Sequence, residues 1–237
     1  EKSTKFIRDD ATGGDCASIG TWDAATLTCT LTIDLTETVQ IDSDGITLDG
    51  GGHMMTGLKT GSGVYLDTRS GVTIRNLVIK EFSFGVNLND SHDIHIENNT
   101  FENDTYQAIV FFDSNANSIS GNTVLILTSE KTRRQGFVIF NSHENSFENN
   151  TISLNAHANT KTTLQGILLF DSNRNSLSSN SVSDTNQGIL FFNSSDNTSY
   201  ENRIQDSIKE GFIIFPPSTR NQVHHNNFIN NGIHITD

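Results

Sequence analysis

The sequence predicts an all-β chain wound as a parallel β-helix, a solenoid of stacked coils. A unit of about 22 residues recurs from Gly63 to Asp237, which is the mark of a repeat architecture. Within each unit apolar residues alternate with period 2, as in a strand, and none carries an amphipathic helical period. Each unit then closes in a polar turn centred on asparagine.

The elements follow in order. Residues 1–45 read as a lead-in and cap, and 46–237 as the repeats. Cys16 and Cys29 bracket "ASIGTWDAATLT", and in so Asn/Ser/Thr-rich a chain they are expected to form a local disulfide in an exported protein. "ITLDGGGH" at 46–53 opens the repeats. One column of the repeats reads Val64, Val86, Ile109, Phe137, Ile167, Ile189, Phe212 and Ile233. Two residues on, another reads Leu66, Leu88, Phe111, Ile139, Leu169, Phe191, Ile214 and Ile235. A later column reads Val78, Phe101, Val124, Ile152, Val182, Ile204 and Phe228. Two residues before each of these stands Asn76, Asn99, Asn122, Asn150, Asn180, Asn202 or Asn226. Coils stacked at about 4.8 Å turn such columns into ladders. The asparagines are expected to form a structural turn that tolerates left-handed backbone.

Gly-[Ile/Val]-x-[Leu/Ile/Phe], a polar turn, then Asn-x-[Val/Ile/Phe], repeated over residues 63–237, resembles the right-handed β-helix family of NosD and CASH (carbohydrate-binding and sugar hydrolysis) repeats. The resemblance implies a right-handed solenoid and implies little about function, because the motif is made of core and turn residues. Relatives in the wider fold act on uronate polysaccharides. The family's epimerases carry an Asp-Pro-His motif, which this sequence lacks. No catalytic residue is assigned, and enzymatic activity stays open between a uronan epimerase, a polysaccharide lyase and none.

Composition narrows the partners. Fifteen Lys and Arg against 28 Asp and Glu leave a formal net charge of −13, which disfavours nucleic acid and anionic membranes. No run approaches the ~20 apolar residues of a membrane helix. An extracellular or cell-surface protein is expected.

One feature exceeds the needs of a solvated face. Between the interior columns, the outward positions become Val110 with Phe112, Val138 with Phe140, Leu168 with Phe170, Leu190 with Phe192, and Ile213 with Phe215. The strip would be about 20 Å tall and larger than monomers usually expose. It is expected to bind a second protein, through a homo-oligomer or a stacked assembly. The competing reading is a polysaccharide site near the two long coils, with Lys131, Arg133, Arg134, His157 and Lys161. His92 with His95, His224 with His225, and the turn acids Asp90, Asp113 and Asp171 are weaker metal candidates. No metal site and no cofactor are expected.

Overall fold

The structure, a computed structural model, describes residues 3–103, 106–126, 134–156 and 163–237. Among these residues three long sheets run along one solenoid axis, of ten, ten and eight strands. Each full coil contributes one strand of six or seven residues to the first sheet, such as Gln107–Phe112 or Leu164–Phe170. It adds two three-residue strands, such as Ser118–Ser120 and Thr123–Leu125. The strands pair in parallel, apart from Gly20–Asp23, which runs antiparallel to Thr28–Leu31.

The interior ladders run as the alternation requires. Val86 pairs Ile109 and Leu88 pairs Phe111. Phe137 pairs Ile167 and Ile139 pairs Leu169, all four fully buried. Each ladder therefore buries a side chain on the next coil's equivalent, and burying such a side chain contributes roughly 1.5–3 kcal/mol.

A glycine is the second or third residue of most first-sheet strands, where the next coil's backbone comes close. A Cβ on Gly166 would lie 2.5 Å from the Gly188 carbonyl oxygen and would also strike Val182. At Gly136 it would lie 2.5 Å from the Gly166 carbonyl. Coil therefore stacks on coil at a distance that a larger side chain opposes.

Several column assignments shift. Val78 pairs Thr100 and Ile79 pairs Phe101, so Ile79, not Val78, belongs to the third-sheet interior ladder. Asn76 is exposed with φ 57°, and Leu77 takes the buried place beside Asn99. At the other end Ile235, not Ile233, pairs Phe212, while Ile233 pairs Glu210. The interior column ends there one pleat later than glycine spacing suggests.

The asparagines bind coil to coil. The backbone N–H of Asn122 donates to Asn150 Oδ1 at 3.0 Å, and Asn122 Nδ2 donates to the Ile96 carbonyl at 2.8 Å. The same pattern runs through Asn99, Asn150, Asn180 and Asn202. Left-handed backbone falls one residue earlier than expected, at Asn98, Gly121, Asn149, Ser179, Glu201 and His225. The ladder asparagines are inside and bonded, as buried polar groups must be.

The lead-in joins the same sheets. Val39–Ile41 pairs in parallel with Ser62–Asp67, and Cys29 pairs Leu48. Cys16 and Cys29 form the expected disulfide, with Cα atoms 5.8 Å apart.

Candidate functional site

The outer face of the first sheet carries three parallel columns. The middle one is Val110, Val138, Leu168, Leu190 and Ile213, a hydrophobic cluster separate from the interior. Its members face outward, as the alternation predicts, but they are not exposed: their accessibility is 0–8%. That corrects the expectation of a bare aliphatic strip. Phe84, Phe140 and Phe215 pack against the cluster.

The second column is Phe112, Phe140, Phe170, Phe192 and Phe215. Their rings form an unbroken row, stacked at Phe112–Phe140 and Phe170–Phe192 and tilted at the other two contacts, with successive centroids 5.2, 5.7, 4.8 and 5.7 Å apart. Each such pair contributes about 0.5–1.5 kcal/mol beyond burial. The row is a ridge, with Phe112 37% and Phe192 39% exposed.

The third column lies across the aliphatic floor. Gln107 Nε2 donates to Gln135 Oε1 at 2.7 Å, Gln135 to Gln165 at 2.6 Å, and Gln165 to Gln187 at 2.9 Å. Gln187 donates to Glu210 Oε2 at 3.1 Å. Between this amide ladder and the phenyl ridge runs a groove of about 240 Å³, floored by Leu168 and Leu190.

Beyond the ridge the chain turns, and a polar cleft of about 680 Å³ opens, lined by residues that include His143, Asp171, Asn173, Arg174, Asp196 and Arg220. Its charges are mutually engaged. Arg174 Nε lies 2.9 Å from Glu144, and Arg220 holds Asp196 with two bonds of 2.7 Å. The hydrogen bond from Arg220 is the main cause that lowers the Asp196 pKa. Asn141 Nδ2 donates to Asp113 at 2.5 Å, and Asn193 Nδ2 to Asp171, so the acidic turn column is capped by amides. His92 Nε2 stands 3.3 Å from Asp90, and His224 Nδ1 2.8 Å from His225 Nδ1.

Of the polysaccharide candidates near the long coils, Lys131, Arg133, His157 and Lys161 lie outside the described residues. Arg134 does not offer a free cation: it is 2% exposed at the start of a first-sheet strand. Sequence reasoning missed the glutamine ladder. The repeated Gln at 135, 165 and 187, directly before Gly136, Gly166 and Gly188, was its available signal.

Residues 37–237 match the model of a family described as "NosD: Periplasmic copper-binding protein (NosD)". No curated protein sequence matches the chain. Among solved structures it is similar to PfbA, a surface adhesin of Streptococcus pneumoniae, at 12% identity and TM-score 0.60, covering 93% of this chain and 73% of that one. It is also similar to the tailspike protein of E. coli bacteriophage HK620, at 8% identity and TM-score 0.58. There the match covers 95% of this chain and only 49% of the tailspike chain. A third is the mannuronan C-5 epimerase AlgE6 A-module of Azotobacter vinelandii, at 11% identity and TM-score 0.51, covering 89% and 81%. At such identities the likeness shows the fold.

Copper, named in that description, finds no fitting donor set among the described residues. No group of three or more His, Cys, Asp or Glu converges there. Both cysteines are spent in the disulfide and Met55 is buried in the core, which leaves the half-buried Met54 as the one accessible sulfur among the described residues. One thioether without a thiolate is a poor set of the soft sulfur ligands that select copper(I). The disulfide fits an oxidising compartment, and no helix among the described residues is long and apolar enough to cross a membrane.

Proposed function

Since the chain belongs to the NosD family across residues 37–237, we propose that it acts by binding, holding an extended, uncharged polysaccharide along the outer face of its first sheet. The groove between the phenyl ridge and the glutamine ladder carries this reading. One wall is apolar and the other is a row of amides, over a floor of leucines. Such a mixture suits a sugar chain, whose C–H groups pack on apolar surface while its hydroxyls seek amides. The groove runs across coils, as a polymer requires.

An uncharged ligand is favoured by charge. A net −13 repels polyanions, and the cleft's two guanidiniums are each already paired with a carboxylate. The test is affinity electrophoresis with mixed-linkage β-glucan, galactomannan and starch against alginate and polygalacturonate. Retardation by an uncharged polymer, weakened by Phe170→Ser with Phe192→Ser, is the expected result. Retardation by the uronates alone would overturn the charge argument, and by no polymer, the function.

Self-association is the second reading, favoured by the exposure of Phe112 and Phe192 on the ridge. With the aliphatic column sealed, the strip available to a second copy is narrower than the sequence suggests. Light scattering of the wild type separates the readings: a concentration-independent monomer removes this one.

A further inference from the structure

The turn after each long strand carries a column of His92, Asn115, His143, Asn173, Ser195 and Thr219. In it, each side chain from His92 to Ser195 accepts the backbone N–H of the next coil. Asn115 N–H donates to His92 Nδ1 at 3.1 Å and His143 N–H to Asn115 Oδ1 at 2.6 Å. Asn173 N–H donates to His143 Nδ1 at 2.9 Å, Ser195 N–H to Asn173 Oδ1 at 2.7 Å, and Thr219 N–H to Ser195 Oγ at 2.9 Å. A backbone N–H can only donate, so His143 Nδ1 must present a lone pair. The neutral ring then carries its proton on Nε2.

His143 lines the polar cleft. There the carboxamides of Asn141 and Asn193 already donate to Asp113 and Asp171, and the two arginines already hold Glu144 and Asp196. Of the uncharged donors that line the cleft, the His143 Nε2–H and the Asn173 side-chain amide have no hydrogen-bond partner among the described residues. They sit on adjacent coils, so one ligand can meet both.

We propose that this cleft is a second subsite for the uncharged glycan of the proposed function, on which this inference rests. His143 is its neutral donor; protonation keeps the Nε2–H but removes the Nδ1 lone pair that holds the ring on the Asn173 N–H, so acidification weakens the subsite by releasing the ring from the position that aims its donor. The charged groups around the ring are Asp113 on the preceding coil, Glu144 on its own turn, and Asp171 and Arg174 on the next, with Asp196 and Arg220 beyond. Burial, seconded by Arg174 and opposed by Glu144 and Asp113, holds the ring's pKa below the usual 6.5. The unfolded chain therefore takes up the proton first. The latch is fully formed above pH 6.5 and is lost as pH falls through the lowered folded value.

The column supplies its own control, because asparagine occupies this place in the neighbouring coils. His143→Asn keeps an acceptor for the Asn173 N–H and a donor for the cleft, but cannot titrate. Binding of mixed-linkage β-glucan is measured at pH 7.5 and 5.0 for the wild type, His143→Asn, and His143→Ala. Wild-type affinity is expected to fall on acidification, reaching about tenfold once the ring is protonated, equal to the loss of one hydrogen bond of ordinary strength. His143→Asn should bind alike at both pH values, and His143→Ala should bind weakly at both. Equal binding by all three at both pH values would overturn the subsite and leave the groove standing. No binding by any protein would overturn the groove reading, and the subsite with it. Nitrogen-15 NMR of the wild-type ring at pH 7.5 tests the latch without ligand: the Nε2–H tautomer is expected, and an Nδ1–H tautomer would overturn it.

Discussion

Asn150 Oδ1 accepts two hydrogen bonds from Asn122, one from its backbone N–H at 3.0 Å and one from its side-chain amide at 3.1 Å. Asn150 Nδ2 meanwhile donates to the Ile119 carbonyl of that same preceding coil at 2.9 Å and to Asn180 Oδ1 of the following coil at 2.9 Å. A single carboxamide thus satisfies groups on two coils, and both asparagines are buried. Asn150→Ala should leave those groups unsatisfied and cost about 3 kcal/mol or more, read as a lower urea midpoint. Wild-type stability in that variant would refute the ladder.

The interior register has its own test. Ile167 is fully buried between Phe137 and Ile189, so Ile167→Asp places an unpaired carboxylate in the core. The loss should be several kcal/mol, enough to unfold much of the protein at 37 °C by circular dichroism. An undisturbed melt would mean that the strand faces the other way.

The phenyl ridge behaves differently. Phe140→Ser, Phe170→Ser and Phe192→Ser together remove partly exposed rings that pack on one another and shield the aliphatic column. Melting should fall by less than for Ile167→Asp alone, glucan retardation should disappear, and the mass in light scattering should stay that of the wild type. A change in mass would return the ridge to self-association.

The disulfide closes a short loop, 13 residues from Cys16 to Cys29. Replacing both cysteines by serine should cost about 3 kcal/mol by freeing the unfolded chain. Calorimetry of that variant beside the oxidised protein measures it, and unchanged melting would show that the lead-in does not unfold with the coils.

Asp49 gives an acid-limb prediction. Burial raises its pKa, but hydrogen bonds from the Gly51 N–H, Asn76 and Arg75 outweigh it and the net shift is downward. Its folded value lies below its unfolded value, so its contribution is full above about pH 4 and is lost as pH falls through the folded value. Between pH 5 and pH 3, Asp49→Asn should lose less stability than the wild type in urea titrations. Parallel losses would remove Asp49 from the acid limb.

The strand interiors were legible because period 2 leaves little choice once Val64, Val86 and Ile109 are aligned. The errors arose where two neighbours both suit a buried place. Leu77 and Asn76 compete in one coil, and asparagine spacing favoured Asn76, although Leu77 there occupies the ladder position. Orientation of the aliphatic column was legible; its burial was not, since alternation says which way a side chain points and nothing of what packs over it. A second asparagine column, Asn117, Asn145, Asn175 and Asn197, escaped notice among turn residues that read equally well as solvated. Its distinguishing property is a carboxamide reaching the next coil's backbone, and composition does not record reach.

Glu210 terminates the glutamine ladder with a group that, when ionised, can only accept. Gln187 must therefore offer it the amide nitrogen and turn its oxygen the other way, which obliges Gln165 to do likewise, and so on through Gln135 to Gln107. One carboxylate orients four dipoles in single file, giving the wall of the groove a polarity like a row of compass needles. A chain molecule lying against that wall meets a different pattern of donors and acceptors when reversed end for end. The β-helix thus carries a sense of direction, and under the proposed function a polymer with distinct ends would meet that wall differently in its two orientations.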